Sequence, residues 1–188
     1  MASRPKQLTK ATLAIICAVA LVCLTRFWYL EDQGNFHPIT PGEAYRSAQL
    51  DPDKLEYYIK KYGIRSVINL RGKHNDEKWY ADEIDICRKI GVSHFDSGLS
   101  ARRKPSLSEI QALLNFFKTA PRPALIHCQA GADRAGLAAA LWKIVIDRAP
   151  KSEGRKQLSI LFGHMPFGPT QALDEFIDNW QSLQESQK

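Results

Sequence analysis

The sequence predicts an α/β domain in which a parallel-rich central sheet is flanked by helices on both faces. The chain has 188 residues, of which 44% are hydrophobic and 24% are charged, so it fits one folded domain of ordinary size. Short apolar segments rich in Val and Ile alternate with longer segments that have the apolar spacing of helices. Because parallel neighbouring strands need crossover connections, this alternation predicts strands and helices in repeated order.

The predicted elements follow an entry segment that is rich in Gly and Pro. The predicted strands are residues 44–47, 64–70, 92–96 and 124–127. The predicted helices are residues 52–62, 77–90, 106–120, 135–146, 152–162 and 170–183. Gly63 and Gly91 are expected to end the first two helices, and Ser106 with Glu109 predicts a capping box at the start of the third.

The first 30 residues are predicted to form a separate hydrophobic helix ahead of a domain of residues 31–188. Residues 11–24 contain thirteen apolar residues out of fourteen and lie between Lys10 and Arg26. At about 1.5 Å per residue this apolar segment spans about 21 Å, and the aromatic residues that follow it suit a membrane interface. We therefore expect residues 11–28 to anchor the chain in a membrane.

A cleaved signal peptide is the alternative interpretation of this leader, because Ala18, Val19 and Ala20 have the small-x-small form of a cleavage site. More basic residues precede the apolar segment than closely follow it, which predicts a cytoplasmic N-terminus. The domain is then expected outside the cytoplasm, which is the periplasm if the cell is bacterial, either anchored to the membrane or released from it.

The positive net charge does not indicate a nucleic-acid partner. The chain carries 26 basic and 20 acidic residues, which gives a net charge of +6. Four basic residues and no acid lie in the first 30 positions, so 22 basic residues face all 20 acids in the rest of the chain. Such a balanced domain provides no basic surface for a polyanion.

Residues 124–136 read ALIHCQAGADRAG and carry the predicted chemistry. Cys128 stands at the end of a strand, five residues separate it from Arg134, and a helix follows. A loop between strand and helix turns its N–H groups inward, where the helix dipole adds positive potential for an oxyanion. Gly131 and Gly136 allow a tight turn and a close approach. The predicted phosphate-binding residues are Gln129, Ala130, Gly131, Ala132, Asp133 and Arg134.

Cys128 and Arg134 are the predicted catalytic residues. The field of the loop favours the nucleophilic thiolate of Cys128, whereas the alternative is a buried structural thiol. The planar fork of Arg134 can hold two oxygens of a phosphoryl group through the transition state. Attack by sulfur, a phosphocysteine intermediate and hydrolysis then need neither metal nor cofactor. The remaining histidines lack ligand spacing, so no metal site is predicted.

This segment resembles the HCxxGxxR signature of the cysteine-based protein tyrosine and dual-specificity phosphatase superfamily. The matching residues are His127, Cys128, Gly131, Arg134 and Gly136. The resemblance extends from about Tyr45 to the C-terminus, and residues 45–47 and 69–71 also look like small bacterial members, including exported ones. It implies a dual-specificity-phosphatase-like fold, activity on phosphotyrosine and also phosphoserine or phosphothreonine of proteins, and a supporting role for His127. The alternative for His127 is an ordinary histidine at a strand end whose hydrogen bonds are satisfied by its neighbours.

The resemblance also implies a general acid on a loop about thirty residues before the cysteine. Asp96 lies 32 positions before Cys128, at the end of a predicted strand and at the start of a polar loop. A solvated Asp at a strand end is the alternative interpretation. Glu109 is a more distant candidate for the general acid, but its carboxylate is expected to be engaged in the capping box.

Two residues depart from the family pattern. Ala135 replaces the Ser or Thr whose hydroxyl helps the thiolate leave, which predicts slow breakdown of the phosphocysteine. Asp133 lies in a loop without a base before Arg134, which disfavours highly anionic substrates. Outside the loop, Cys87 is expected in the core, with a redox partnership to Cys128 as the alternative.

Two other functions remain open at this point. A phosphate-binding module with little turnover would also need the loop, and Ala135 favours it. A sulfur-transfer or oxyanion-reducing enzyme also places a cysteine in an anion-binding loop. The basic run of residues 102–104 would recruit an acidic protein segment or a lipid headgroup, or is a solvated face.

Overall fold

The computed structural model describes the backbone of residues 4–180, and the side chains of that range except residues 4–9, 23, 26, 27, 29 and 31. The chain divides into two compact units, Met1–Gln33 and Gly34–Lys188. Residues 181–183 of the predicted last helix lie outside the described residues. The assignment of residues 1–30 and 31–188 to two functions stays a prediction.

The first unit contains one helix, α1 (Arg4–Asp32). Its apolar side chains, such as Leu13, Ile16 and Val22, are exposed. Within the side chains that the structure describes, no helix has the length and apolar character needed to cross a membrane. The predicted anchor at residues 11–28 therefore has no support from the structure.

The second unit contains a mixed five-stranded sheet with the order β1-β2-β5-β3-β4. The strands are β1 (His37–Thr40), β2 (Ala44–Ser47), β3 (Ser66–Asn69), β4 (Ser93–Asp96) and β5 (Ala124–His127). Strand β1 pairs with β2 in antiparallel orientation, and the other three pairings are parallel. The predicted α/β class is confirmed, with one antiparallel edge strand added.

Helices and helical turns connect and cover these strands. They are α2 (Pro52–Tyr62), α3 (Lys78–Ile90), α4 (Leu107–Thr119), α5 (Asp133–Leu141), α6 (Lys151–Arg155) and α7 (Gln171–Asp178). A π-helical turn covers Trp142–Ile146, and 3₁₀ turns cover Ile160–Phe162 and Gly168–Thr170.

The predicted signals at the helix ends are confirmed. Gly63 and Gly91 end α2 and α3 in the left-handed conformation, with φ of 62° and 77°. At the start of α4 the Ser106 hydroxyl accepts the N–H of Glu109, whose carboxylate accepts the N–H of Ser106.

Two apolar clusters lie on opposite faces of the sheet. Val67 of β3 and Leu125 of β5 pack with α2 and α3, while their neighbours Ile68 and Ile126 pack with α4, α5 and α7. This alternation follows from the twofold period of a strand, so both faces of the sheet are buried.

The structure differs from the predicted elements at three places in particular. Strand β1 was missed because Pro38 interrupts it, and proline is tolerated there since β1 lies at the edge of the sheet. The predicted helix 135–146 begins two residues earlier and ends as the π-helical turn. The predicted helix 152–162 is two short pieces, because Ser159 is extended with φ of −145°.

Candidate active site

The carboxyl ends of the four parallel strands lie together along one border of the sheet. In this section the edge of the sheet means this border and not an edge strand. Their register places Ser47, His127, Asn69 and Asp96 side by side. Cys128 follows β5 directly, and its N–H donates to the carbonyl of Ser47 at 3.4 Å. The carboxyl ends of parallel strands form the crevice in which α/β proteins bind ligands. The predicted nucleophile therefore lies at the edge where a ligand site is expected.

Residues 128–134, called the anion loop below, run from the end of β5 into the first turn of α5. The buried guanidinium of Arg46 holds two carbonyls of this loop, because its Nη2 donates to Gly131 at 2.7 Å and to Ala132 at 3.0 Å. Its Nη1 donates to the carbonyl of Gln157 at 2.7 Å. Burial is the main cause that lowers the pKa of Arg46 to about 10, so the guanidinium is still charged at neutral pH.

The two preceding carbonyls of the anion loop are also held from outside. The backbone N–H of Gln49 donates to the carbonyl of Gln129 at 3.0 Å. The Nδ2 of Asn35 donates to the carbonyl of Ala130 at 2.9 Å and to that of Phe162 at 2.9 Å. Four consecutive carbonyls are thus bonded to groups outside the loop.

The amide groups of the anion loop are left for a ligand. Within residues 4–180, the N–H groups of residues 129–135 donate to no protein acceptor outside the loop and α5. Helix α5 begins at Asp133, so its positive N-terminal end lies at the same loop. A loop with its carbonyls tied back and its amides unpaired is suited to bind an oxyanion.

Gly131 and Gly136 fill positions where a side chain would collide with the fold. Gly131 has φ of 70°, and an added Cβ would lie 2.6 Å from the backbone nitrogen of Ala48. At Gly136 an added Cβ would lie 3.0 Å from the carbonyl oxygen of Gln157. The close approach predicted for both glycines matches this geometry, and at Gly131 the conformation itself also requires glycine.

Cys128 and Arg134 lie at the two ends of the anion loop. Cys128 is buried, and Arg134 is half-buried with its Nε enclosed and without a protein partner among the described residues. No carboxylate in the described part of the chain pairs with Arg134. A buried donor without a partner is costly, so this guanidinium is suited to meet an anion that enters the loop.

Arg71 is a second cation at the same edge, and the sequence analysis gave it no role. Its guanidinium lies 3.6 Å from the centre of the Trp79 ring, and its Nη1 donates to Gln49 at 3.4 Å. Burial and the charge of Arg134 lower the pKa of Arg71, while negative charge on Cys128 is among the influences that act in the opposite direction. Two guanidinium groups therefore act on the space beside Cys128.

His127 is held by a buried carboxylate that the sequence analysis missed. The Oε1 of Glu83 accepts from His127 at 3.1 Å and from His94 at 2.8 Å, and its Oε2 accepts from Gln49 at 2.7 Å. Burial alone would raise the pKa of Glu83, but the charge and hydrogen bond of His127, together with His94 and Gln49, lower it. This carboxylate fixes the imidazole next to Cys128.

Asp96 lies at the predicted strand end, on β4 at the edge of the sheet. Its Oδ1 accepts from Asn69 at 2.9 Å and its Oδ2 accepts from Tyr80 at 2.7 Å. Burial, and then the bond to Asp96, raise the pKa of Tyr80 to about 12, so Tyr80 is a donor at neutral pH. In this conformation both oxygens of Asp96 are acceptors.

The other predicted residues near the loop are placed as follows. Asp133 accepts from His164 at 2.8 Å, and Ala135 is fully buried on α5 directly after Arg134. Cys87 lies in the cluster with α2, whereas Cys128 lies in the cluster on the opposite face. Burial raises the pKa of the Cys87 thiol to about 12, which keeps it protonated, as expected of a core residue.

The basic run after Asp96 is largely neutralised. Arg103 pairs with Glu109 at 2.6 Å, and Lys104 pairs with Glu175 at 2.7 Å. The Arg103 bond is the main cause that lowers the pKa of Glu109 to about 2. Glu109 is therefore engaged by the capping box, as the sequence predicted, and also by Arg103.

No group of three or more His, Cys, Asp or Glu side chains among the described residues is arranged to hold a metal ion.

Comparison with known families identifies a match over most of the second unit. The family model described as "DSP-PTPase phosphatase fused to NAD+ Kinase" matches residues 40–166. The chain has no significant match among curated proteins.

Solved structures of phosphatases share the fold. P. aeruginosa TpbA is 22% identical, with a TM-score of 0.61 over 77% of this chain and 84% of TpbA. The catalytic domain of the S. cerevisiae PP-IP phosphatase SIW14, in complex with citrate, is 19% identical, with a TM-score of 0.62 over 77% of this chain and 83% of that one. PTPMT1 is 16% identical, with a TM-score of 0.59 over 80% of this chain and 99% of PTPMT1.

Proposed function

Because the chain belongs to the family of DSP-PTPase phosphatases described as fused to NAD+ kinase, we propose that it hydrolyses phosphate monoesters through a covalent intermediate on Cys128. The observation that carries this proposal is the anion loop, in which four consecutive carbonyls are tied back and the amides have no protein acceptor outside the loop and α5 among the described residues. Cys128 and Arg134 at its ends supply a nucleophile and a cation for the same anion.

In the first step the Cys128 thiolate attacks phosphorus, an S–P bond forms and the O–P bond to the leaving alcohol breaks. The loop amides and Arg134 bind the three oxygens on which charge is spread. In the second step water attacks phosphorus, the S–P bond breaks, and inorganic phosphate and the thiolate are released. Neither step needs a metal ion or a redox cofactor.

Asp96 is the proposed donor of the proton to the leaving oxygen. Donation requires Asp96 to take up a proton from solvent and to exchange its bond with Tyr80 for one with the leaving group, which fits movement of the end of β4 and the loop after it when substrate binds. Asp96→Asn should slow hydrolysis of an alkyl phosphate by about 10²-fold and that of an activated aryl phosphate much less. Tyr80→Phe is the matched control, because it removes the hydrogen bond from Tyr80 to Asp96 but keeps the carboxyl group of Asp96. Equal losses for both substrates in Asp96→Asn would show a structural role instead.

The proposed substrates are phosphotyrosine and also phosphoserine or phosphothreonine of proteins. A solved complex of a TpbA variant contains phosphotyrosine, and a solved complex of PTPMT1 contains PI(5)P. Asp133 inside the loop is an acid where a highly anionic substrate would favour a base. We therefore place a phosphoprotein ahead of a polyphosphorylated lipid or inositol.

The test is release of inorganic phosphate by the full chain from phosphopeptides, a phosphoinositide and an aryl phosphate, with and without a chelator. We expect the aryl phosphate and the phosphotyrosine peptide to be hydrolysed at rates that the chelator does not change. Loss of activity with the chelator, or no hydrolysis of any ester, would overturn the proposal.

A phosphate-binding module is the second candidate, and Ala135 together with the engaged oxygens of Asp96 favours it. Such a module would form one equivalent of phosphocysteine and release phosphate very slowly. Labelling with an activated aryl phosphate that carries a labelled phosphoryl group, followed by an acid quench, separates the two functions. After the free ester is removed, only a module retains the labelled phosphocysteine.

Location of the domain outside the cytoplasm is also a proposal, which the excess of basic residues before residue 11 supports. A reporter enzyme fused after Lys188 that is active only after export should show activity. Reporter activity confined to the cytoplasm would reverse this assignment, and the release of the domain by an alkaline wash would favour a cleaved leader.

A further inference from the structure

His164 is a fully buried histidine, one of those whose spacing in the sequence predicted no metal site. It lies on the segment between two 3₁₀ turns, and its backbone N–H donates to the carbonyl of Ser159 at 3.1 Å. Its Nδ1 lies 2.8 Å from Oδ1 of Asp133, and its Nε2 lies 2.9 Å from Oδ2 of Asp174. One imidazole therefore joins the anion loop to α7.

The two contacts define the charge of this imidazole. An ionised carboxylate only accepts hydrogen bonds, so both ring nitrogens must carry a proton to donate to Asp133 and Asp174. Burial lowers the pKa of His164, but the hydrogen bonds and charges of the two carboxylates outweigh burial and raise it overall. His164 is thus an imidazolium enclosed between two anions.

Other charges balance this group. Asp174 also accepts from Nη1 of Arg155 at 2.5 Å, and Nε of Arg155 donates to Asp178 at 3.1 Å. On the loop side, Arg46 interacts electrostatically with Asp133. Each carboxylate that touches His164 therefore has a second cation nearby, and the whole row is a chain of alternating charges.

We propose that His164 is a positioning residue for the anion loop, which it holds by tying Asp133 to α7. Asp133 is the first residue of α5 and directly precedes Arg134, so a shift of Asp133 displaces the guanidinium that faces the anion. This inference rests on the proposed function, since it gives a catalytic consequence to a loop proposed to bind phosphate. His164 itself touches no reacting atom.

The proposal predicts a dependence on alkaline pH. When His164 loses its proton, the neutral ring has one donor and can keep only one of its two carboxylates, so Asp133 or Asp174 loses its partner. The loop is then held less firmly, and the rate should fall as the pH rises through the raised pKa of His164. A misplaced catalytic group lowers kcat more than it changes KM.

The experiment compares three variants of the full chain with an aryl phosphate as substrate. His164→Asn should lower kcat by about tenfold to 10²-fold, with a smaller change in KM. Asp133→Asn keeps an acceptor of the same shape but removes a charge, so the alkaline limb of kcat should move to lower pH by about 1 unit. Leu113→Ala, in the core at α4, is the destabilised control and should leave the pH profile unchanged.

Two further measurements keep the test decisive. If His164→Asn does not fold, Asp133→Asn alone decides, because an unmoved alkaline limb overturns the proposal. Histidine NMR of the wild type without substrate should show His164 protonated above pH 6.5, and a neutral ring there would also overturn it. If the wild type hydrolyses no ester, the proposed function fails, and orthovanadate binding by the same variants then tests the inference. Vanadate affinity should fall in His164→Asn, and an unchanged affinity would contradict it.

Discussion

A buried histidine supports each end of the anion loop, and the surroundings of the two histidines are opposite. At the Cys128 end, one carboxylate, Glu83, is shared by two histidines that include His127. At the Arg134 end, one histidine, His164, is shared by two carboxylates. The first cluster contains more histidines than carboxylates, and the second contains more carboxylates than histidines.

This difference predicts that the loop is sensitive to pH in both directions. The pKa of Glu83 is lowered in the folded protein, so its stabilising contribution is present above the ordinary value of 4.5 and is lost as the pH falls toward the folded value. The pKa of His164 is raised, so its contribution is complete below the ordinary value of 6.5 and is lost as the pH rises through the folded value. Acid loosens the Cys128 end, and alkali loosens the Arg134 end.

The largest effect is expected at the Cys128 end itself. Cys128→Ser should lower turnover by at least about 10²-fold while the fold and phosphate binding persist, because the alcohol lacks the nucleophilicity of a thiolate. Cys87→Ser is the matched control, since it replaces a buried thiol on the other face of the sheet. Steady-state phosphate release measures both variants, and turnover above about a hundredth of the wild-type rate in Cys128→Ser would remove the nucleophile assignment.

At the opposite end, Arg134→Lys should lower kcat by about 10²-fold. A lysine keeps the charge but loses the fork that holds two phosphoryl oxygens in the transition state. Arg122→Lys is the control, because Arg122 pairs with Glu43 away from the anion loop. A near-normal rate for Arg134→Lys would leave charge alone as the requirement at this end.

Glu83→Gln tests the support beneath Cys128 and should lower kcat/KM by about tenfold. Gln keeps the shape but carries no charge, so His127 and His94 lose the carboxylate that accepts their hydrogen bonds. The difference in unfolding free energy between wild type and variant should be largest above pH 4.5 and shrink on acidification. Asp85→Asn, at an exposed pair on the same helix, is the control for urea unfolding at both pH values. A difference that does not depend on pH would contradict the lowered pKa.

Much of the fold follows from local sequence signals. Residues 52–62 and 124–127 have the predicted bounds, because a Pro and Gly bracket the helix and a short apolar run marks the strand. The edge strand β1 could not be found in this way, since its stability comes from pairing with β2 and its proline argues against a strand.

The supports of the candidate site were harder to predict than its loop. Cys128 and Arg134 are close in sequence, so the spacing alone places them at one loop. Arg46 and His164 contact that loop from 85 and 31 positions away, and Glu83 contacts the adjacent His127 from 44 positions away. Only the packing of helices on the sheet brings these residues to the site. One local signal was present: Glu83 lies on the same buried face of α3 as Tyr80 and Cys87, where a charge needs a partner.

The smallest expected effect concerns Ala135, next to Arg134 at the start of α5. The signature that this loop resembles usually has Ser or Thr at this position, with a hydroxyl expected to help the thiolate leave, whereas this chain has Ala135. Ala135→Ser should raise kcat a few-fold and leave formation of the phosphocysteine nearly unchanged. Stopped-flow measurement with an activated aryl phosphate should show a burst of one equivalent of phenol in the wild type and a smaller burst in the variant.

The control for this change is Ala138→Ser, which buries the same hydroxyl one turn later on α5. Both variants place a polar group in the core, so both should lose stability, but only Ala135→Ser should gain rate. The result also bears on the two ends of the loop. If breakdown of the phosphocysteine limits turnover, loosening the Cys128 end should mainly lower kcat/KM through the first step. Loosening the Arg134 end should lower kcat and also slow the burst, because Arg134 holds the phosphoryl oxygens in both steps. A wild type without a burst, and no gain from Ala135→Ser, would mean that the first step limits turnover and that another group does the work of the missing hydroxyl.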